Sequence, residues 1–300
     1  MLKNKFFKKD PSNKYLIAVS GGSDSMFLLD RFKKYNVVVA HVNYHQRDDS
    51  SIETDIVKKY CAKYKLPLFV LELNKDDYTG GNFEDWAREK RYEFFKQIYH
   101  DQSCNYLLIA HNKDDFFESA MMTRESNRKK DFFGIKKHNK IYGMNVYRPY
   151  VNKYWKDYIA HKCIYERIPF HIDSSNLRQE YTRNKIRMTY RNHLLLKSIW
   201  VWYFRLKNKK LKVEQLKISR NYKKWVKSNY SQDIFKKLKF KEELIYKFIN
   251  QNYDHINLTS GKLRSIIDFL LSKNRTSTYK LDDNDFLNKE KGHLKLPNNQ

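Results

Sequence analysis

Residues 20–25 read SGGSDS and follow the apolar run YLIAV of residues 15–19. Two glycines and three small polar residues after a strand-like run make a turn whose backbone N–H groups can cradle an anion at the start of a helix. Gly21 and Gly22 let the backbone come close to phosphates, and Ser20, Ser23 and Ser25 add donors. A P-loop ends in GK[ST], and its lysine stabilises charge at the β- and γ-phosphates. Here an acid, Asp24, takes that neighbourhood, and the loop has no lysine. An acid beside phosphates makes chemical sense when it holds Mg²⁺ against a departing pyrophosphate. That places the attack at the α-phosphate of ATP and gives an adenylate. The alternative is an ordinary strand-to-helix turn. The strand before, the helix after and the AHVN ending of the next strand weigh against it.

Working outward, the first half alternates short apolar runs with helical patterns. The spacing predicts strands YLIAV (15–19), VVVAHV (37–42), LFVLEL (68–73) and YLLIAH (106–111), with helices over 24–34, 50–64, 83–99 and 113–122. A further helix over 153–167 leads into IPFHID, expected as a last strand. Apolar runs separated by helices indicate an α/β fold, a parallel sheet with helices on both faces joined by right-handed crossovers. The texture changes near 191, and the domain boundary is placed at 195: a catalytic domain over 1–195 and a smaller, mainly helical basic domain over 196–300. Between Lys197 and Lys241 fifteen Lys or Arg face two acids, Glu214 and Asp233, with Trp200, Trp202, Tyr203, Trp225 and Tyr230 interleaved. Those aromatics are either a core stripe at helical spacing or platforms for bases. LTSGKLRSIIDFLLSK (258–273) reads as a helix with Ser260 as its N-cap, and the ending as short strands joined by turns.

The net charge of +26 over 300 residues creates a field that attracts polyanions, with RNA or DNA the commonest partner. Part of the excess reflects a composition rich in Lys, Asn, Tyr, Ile and Phe. No long amphipathic basic helix supports a membrane surface, and no apolar run approaches the roughly 20 residues of a span. Cys61, Cys104 and Cys163 are far apart and form no CxxC pair, which argues for a reducing compartment and against structural zinc or a disulfide framework. The expectation is a cytoplasmic protein.

Five further stretches accompany the loop in order: HVNYHQR (41–47), AREKRYEFF (87–95), AHNKDDFFES (110–119), YRPYV (147–151) and DSSNLRQEYTRNKIR (173–187). With SGGSDS the set resembles the PP-loop ATP pyrophosphatases, and among them the tRNA(Ile)-lysidine synthases, across the first 190 residues. The resemblance implies a reaction at the wobble cytidine of a CAU-anticodon tRNA(Ile). ATP adenylates the C2 oxygen and releases pyrophosphate, and the ε-amino group of free L-lysine then displaces AMP to give lysidine. It implies ATP and Mg²⁺ as cofactors, and a homodimer is left open. The family pattern has histidines where this chain has Asn112 and Tyr44.

Within these motifs, Asp114, Asp115 and Glu118 open a helix after a strand, and Glu118 shares a face with each of the two aspartates. Acids also favour a first turn through the helix dipole. On the resemblance, Asp115 and Glu118 are the choice for lysine recognition, and Asp24 and Asp114 for Mg²⁺. A lysine ammonium has a pKa of about 10.4, so a base must take its proton. Asp115 is that candidate and His111 its rival. Arg88 and Arg91 lie one helical turn apart, and Arg183, Asn184 and Arg187 are similarly placed. With Arg148 they form the set expected to meet phosphate or RNA, solvent exposure being the alternative. Arg183 is counted with the catalytic group, and Asn43 is expected at the nucleotide. A thiolase would need a sulfur relay, an amidotransferase a glutaminase, and a non-catalytic tRNA binder would leave SGGSDS and DDFFE without use.

Overall fold

Alternation along the first strand explains how the sheet is covered. In β1 (Tyr15–Ala18), Tyr15 and Ile17 enter one core and Leu16 the other, as a two-residue repeat requires. The first core lies under α1 (Ser23–Phe32), α2 (Ser50–Tyr64) and α5 (Lys156–Tyr165), and the second under α3 (Phe83–Asp101). The computed structural model describes residues 10–45, 50–74, 77–78, 80–126, 130–171, 181–253 and 255–297. β1 pairs in parallel with β2 (Val37–Asn43) and β4 (Tyr106–Leu108), and β2 with β3 (Leu68–Glu72). The expected α/β sheet with helices on both faces is therefore present. Its order is β3-β2-β1-β4-β6-β5.

The last two strands form a hairpin that the hydrophobic pattern does not announce. β5 (His138–Ile141) runs antiparallel to β6 (Met144–Tyr147), which is itself parallel to β4. Tyr142 and Gly143, with φ of 47° and 82°, make the two-residue turn, whose twist suits a hairpin. The IPFHID strand is a correction. Residues 168–170 are irregular, Pro169 lacks an N–H for a ladder, and His171 makes only a single bridge to Gly22. Ile172 and Asp173 of that stretch lie outside the described residues, as do Gln46 and Arg47 and residues 173–180 of the quoted motifs.

The chain divides into two compact units, Met1–Leu206 and Lys207–Gln300. The division falls within α7 (Leu194–Lys227), the longest helix among the described residues. In the first unit α4 (Lys113–Glu125), α6 (Tyr181–Tyr190) and the start of α7 share a core of Phe116, Phe117, Ile186, Val201 and Phe204. The second unit holds α8 (Gln232–Lys237), α9 (Lys241–Asn252) and α10 (Ser260–Leu271) with a three-stranded antiparallel sheet. Its N-cap on α10 is Thr259, whose side chain accepts from Lys262 N, and Ser260 is already helical. Among the described residues no helix is long and apolar enough to cross a membrane.

Trp225 decides between the two roles of the aromatics at its own position. It is fully buried against Phe235 and Phe248, and its Nε1–H donates to Ser231 O at 3.2 Å. Trp202 by contrast is exposed. Truncating a buried aromatic costs about 3–5 kcal/mol. Trp225→Ala should therefore lower amide-exchange protection across α8–α10 while protection in β1, β2 and β4 stays. Parallel loss in both regions would contradict two separately stable units.

Candidate active site

The strand order turns at β1, with β2 on one side and β4 on the other. In an open parallel sheet this switch point leaves a crevice beyond the carboxyl ends of the strands. SGGSDS leaves β1 and AHNKDD leaves β4 at that crevice. Gly21 has φ of 93°, and a Cβ there would lie 2.8 Å from Glu53 Cβ, so both backbone shape and space require glycine. Ser25 ties the loop: its Oγ accepts from Ser20 N at 3.1 Å and donates to Gly22 O at 3.0 Å. Gly22 is the N-cap of α1 with no side-chain cap, so the helix start is open to an anion. Ser20 is exposed, and Ser23 and Asp24 are half-buried. Asn43 is buried, and its Oδ1 accepts from His45 N at 3.1 Å, which closes the turn after β2.

Asn112 joins the two loops. As N-cap of α4 its Oδ1 accepts from Asp114 N at 2.8 Å and Asp115 N at 3.2 Å, while its Nδ2 donates to Asp24 Oδ1 at 3.1 Å. Asp115 returns the contact by accepting from Asn112 N at 2.8 Å, completing a capping box. A side-chain amide offers an acceptor and a donor at once, which this double duty needs. Burial, then the nearby Asp115, pushes the Asp24 carboxyl up to about 7, with Asn112 and Lys156 opposing. Burial also raises Asp115, against the pull of Asn112 N, Arg183, Arg187 and Lys156.

The other two acids are held within the protein. Glu118 is 2% exposed and takes Arg187 as a fork, Nε to Oε1 at 2.8 Å and Nη2 to Oε2 at 3.2 Å, with Arg183 Nε at 3.8 Å. Burial raises its carboxyl and Arg187 opposes the shift. Asp114 has both oxygens engaged, by Lys197 Nζ at 2.6 Å and Lys156 N at 2.8 Å. It joins α4 to α5 and α7, and this occupancy speaks against the expected metal role. Among the described residues no three His, Cys, Asp or Glu side chains gather as a metal set.

His111 lies beside the arginines. Arg148 is buried and donates from Nε to His111 Nδ1 at 3.0 Å and from Nη1 to Lys136 O at 2.9 Å and Asn139 Oδ1 at 2.6 Å. An Nδ1 that accepts leaves the ring proton on Nε2. Burial and the charges of Arg148, Arg183, Arg91 and Arg88 push the imidazole down to about 3. Arg91 and Arg183 are half-buried, each with an Nε that has no hydrogen-bond partner among the described residues. Arg88 is exposed over the Tyr92 ring, and Asn184 is half-buried. Lys156, Lys197 and Asn139 are parts of this region that motif reading passed over. Their signal lay in topology: Lys156 opens α5, and Asn139 sits on the unannounced β5.

The PP-loop domain family model matches residues 2–194. The tRNA(Ile)-lysidine synthase of Mycoplasmopsis pulmonis is 39% identical over 288 residues, covering 94% of this chain and 98% of that one. That of Mesomycoplasma hyopneumoniae is 37% identical, covering 93% and 94%. The chain belongs to the tRNA(Ile)-lysidine synthase family. Among solved structures, the U34-tRNA thiolase NcsA from Methanococcus maripaludis aligns with a TM-score of 0.53 at 18% identity, over 66% of this chain and 72% of that one. That likeness concerns the fold alone.

Both departures from the family pattern have local partners: Asn112 as described, and Tyr44 by donating to Ala87 O at 3.1 Å. The Glu118–Arg187 fork gives this family member a measurable signature. Arg187→Met leaves the buried carboxylate with Arg183 at 3.8 Å as its remaining ion-pair partner and no hydrogen-bonded fork, and should cost up to about 3–5 kcal/mol of stability. The carboxyl, already raised by burial, rises further, so the native state gains protons before the unfolded state does. The deficit should be largest at neutral pH and shrink on acidification, as thermal unfolding from about pH 8 to pH 5 would read. A deficit independent of pH would show that Glu118 is not ionised in the wild type.

Proposed function

We propose that this chain is a tRNA-modifying ligase that joins free L-lysine to C2 of the wobble cytidine of a CAU-anticodon tRNA(Ile), through an adenylated cytidine. The reading rests on family membership and on one observation above others. The Asn112–Asp24 bond brings an open, glycine-shaped helix start and a row of acids together at the switch point of the sheet. The PP-loop domain uses ATP.

The backbone of Gly21 and Gly22 and the first turn of α1, with Ser20 and Ser23, hold the phosphates. The donor set suits Mg²⁺, which commonly takes one or two carboxylates together with substrate phosphates. Asp24 is the ligand: a carboxyl crowded by burial and by Asp115 gains from a cation. Bound there, Mg²⁺ supplies charge neutralisation for departing pyrophosphate. Asp114, with both oxygens engaged, keeps the helices in place instead.

For the second step, Asp115 receives the lysine ammonium and takes its proton, since burial raises its affinity for protons. His111 is a poorer base because its Nδ1 already accepts from Arg148. Glu118 fixes Arg187, and Arg183 and Arg187 then face the developing phosphate charge. Residues 196–300 add the tRNA surface: Lys209, Lys212, Lys217, Lys223 and Lys224 are exposed along α7. The reaction belongs in the cytoplasm, where tRNA and free lysine meet.

The thiolase reading has less behind it. Cys61, Cys104 and Cys163 are all buried, and burial pushes their thiols up to about 11, 11 and 12. Reactive thiols sit in exposed, electropositive places and are shifted down.

Incubation with unmodified tRNA, MgATP and labelled lysine, followed by mild alkali, tests the proposal. Label that survives and maps to the anticodon cytidine supports it, since an aminoacyl ester would be stripped. Pyrophosphate release without stable label would call for another nucleophile, and neither signal would favour a non-catalytic binder. Asp24→Ala should lower pyrophosphate release at least about 100-fold and leave tRNA affinity nearly unchanged. A large loss of tRNA binding would refute that division of labour. Changing the five α7 lysines to glutamine should weaken tRNA binding and flatten its salt dependence, by up to roughly 0.9 in slope per lost phosphate contact. An unchanged slope would remove RNA from that helix.

A further inference from the structure

His111 carries an imidazole whose proton is placed by a chain of contacts starting two strands away. Asn139 lies on β5, in register with Val146 of β6. Its Oδ1 accepts from Arg148 Nη1 at 2.6 Å, and the same Nη1 donates to Lys136 O at 2.9 Å. Arg148 N donates to Lys137 O at 2.9 Å, so side chain and backbone are both pinned to the hairpin. With Nη1 held by the hairpin, the Nε–H meets His111 Nδ1 at 3.0 Å. A guanidinium cannot accept a proton bond, so this contact excludes the Nδ1–H tautomer. The ring is left with a donor at Nε2, for which no partner exists among the described residues. Two arginines whose charges reach this ring, Arg91 and Arg183, each bury an Nε that has no hydrogen bond among the described residues, that of Arg183 lying 3.8 Å from Glu118 Oε2. Buried donors without a hydrogen bond are costly, and two of them on arginines that act on one ring point to a group that is missing from the free protein.

We propose that Asn139 and Arg148 are positioning residues that fix His111 as a neutral donor, and that its Nε2–H completes, with Arg91 and Arg183, a preformed seat for an anionic oxygen of a substrate. A neutral donor suits this place. The groups facing the ring are Arg148 from the end of β6, Arg183 from α6, and Arg88 and Arg91 from α3, all cationic. A second proton on the ring would add repulsion without adding a donor toward the ligand. The anionic oxygen comes either from the phosphoryl group of the nucleotide or from the carboxylate of the amino acid. The second source rests on the lysine reading above.

The test uses the full chain labelled with ¹⁵N-histidine. Long-range ¹H–¹⁵N spectra report the tautomer, and His111→Asn assigns the signal by its loss. The wild type should show Nε2–H alone from about pH 8 to pH 5, without titration. Asn139→Ala should admit the second tautomer, while burial and the four arginines keep the ring neutral in that window. It should lower the overall rate about tenfold. Asn139→Asp, which keeps the acceptor, should restore tautomer and rate, which a merely structural role would not require. An Nδ1–H ring in the wild type, or an unchanged tautomer in Asn139→Ala, overturns the positioning role.

Lysine and cadaverine, which lacks the carboxylate, separate the sources. Should Asn139→Ala and His111→Asn erase the preference for lysine while pyrophosphate release stays, the seat holds the carboxylate. Should pyrophosphate release fall equally with either amine, it holds the phosphoryl oxygen. No change in either reaction overturns the seat. Failure of the wild type to transfer lysine at all would sink the lysine reading, and the tautomer result would still stand on its own.

Discussion

One side-chain amide sets the geometry on which the site depends. Asn112 caps α4 with its oxygen and reaches Asp24 with its nitrogen, so the loops after β1 and β4 are registered by a single planar group. Both loops emerge at the turning point of the strand order, where no crossover connection fills the space between them. The bond also determines charge. It holds Asp24 near Asp115, and two carboxyls in a half-dry crevice cannot both ionise without cost. The free protein therefore stores an electrostatic demand for cations where the family's chemistry brings ATP.

The rest of the site divides between groups that are satisfied and groups that are not. Asp114 and Glu118 have their oxygens filled by Lys197, the Lys156 amide and Arg187. They act as ties among α4, α5, α6 and α7. Asp24, Asp115, Arg91 and Arg183 keep affinity unspent, as raised carboxyls or as donors without a hydrogen bond among the described residues. A row such as DDFFE looks uniform in one dimension and splits by role once neighbours are known.

That split marks where sequence reading reaches its limit. The parallel sheet was legible because four of its strands are apolar runs, β1, β2 and β4 mostly buried and β3 half-buried, separated by helices of ordinary length. The glycine loop was legible because φ of 93° at Gly21, with no room for a Cβ, is a demand on residue type. The β5–β6 hairpin was not, since β5 reads HNKI, half exposed and polar, and carries no hydrophobic period. IPFHID misled for the opposite reason: it is apolar enough for a strand, but Pro169 removes a donor and the segment is spent on the phosphate loop, with His171 N donating to Gly21 O at 3.0 Å. The fates of Trp225 and Trp202, one core and one exposed, follow from helix phase relative to neighbours that the sequence does not name.

The same reasoning accounts for the departure at Asn112. A position at the start of a helix, four residues past the last residue of β4, must first satisfy orphan N–H groups, and asparagine is among the best residues for that purpose. Once Asn112 serves as cap and as donor to Asp24, it has no proton to give or take. The groups here whose proton affinity the fold has shifted lie elsewhere. Burial and the surrounding arginines move the His111 imidazole down to about 3, and burial moves the Asp115 carboxyl up. In a chain whose charge is dominated by lysine, the arginines are kept for the places where a planar, always-charged fork is needed to hold that arrangement still.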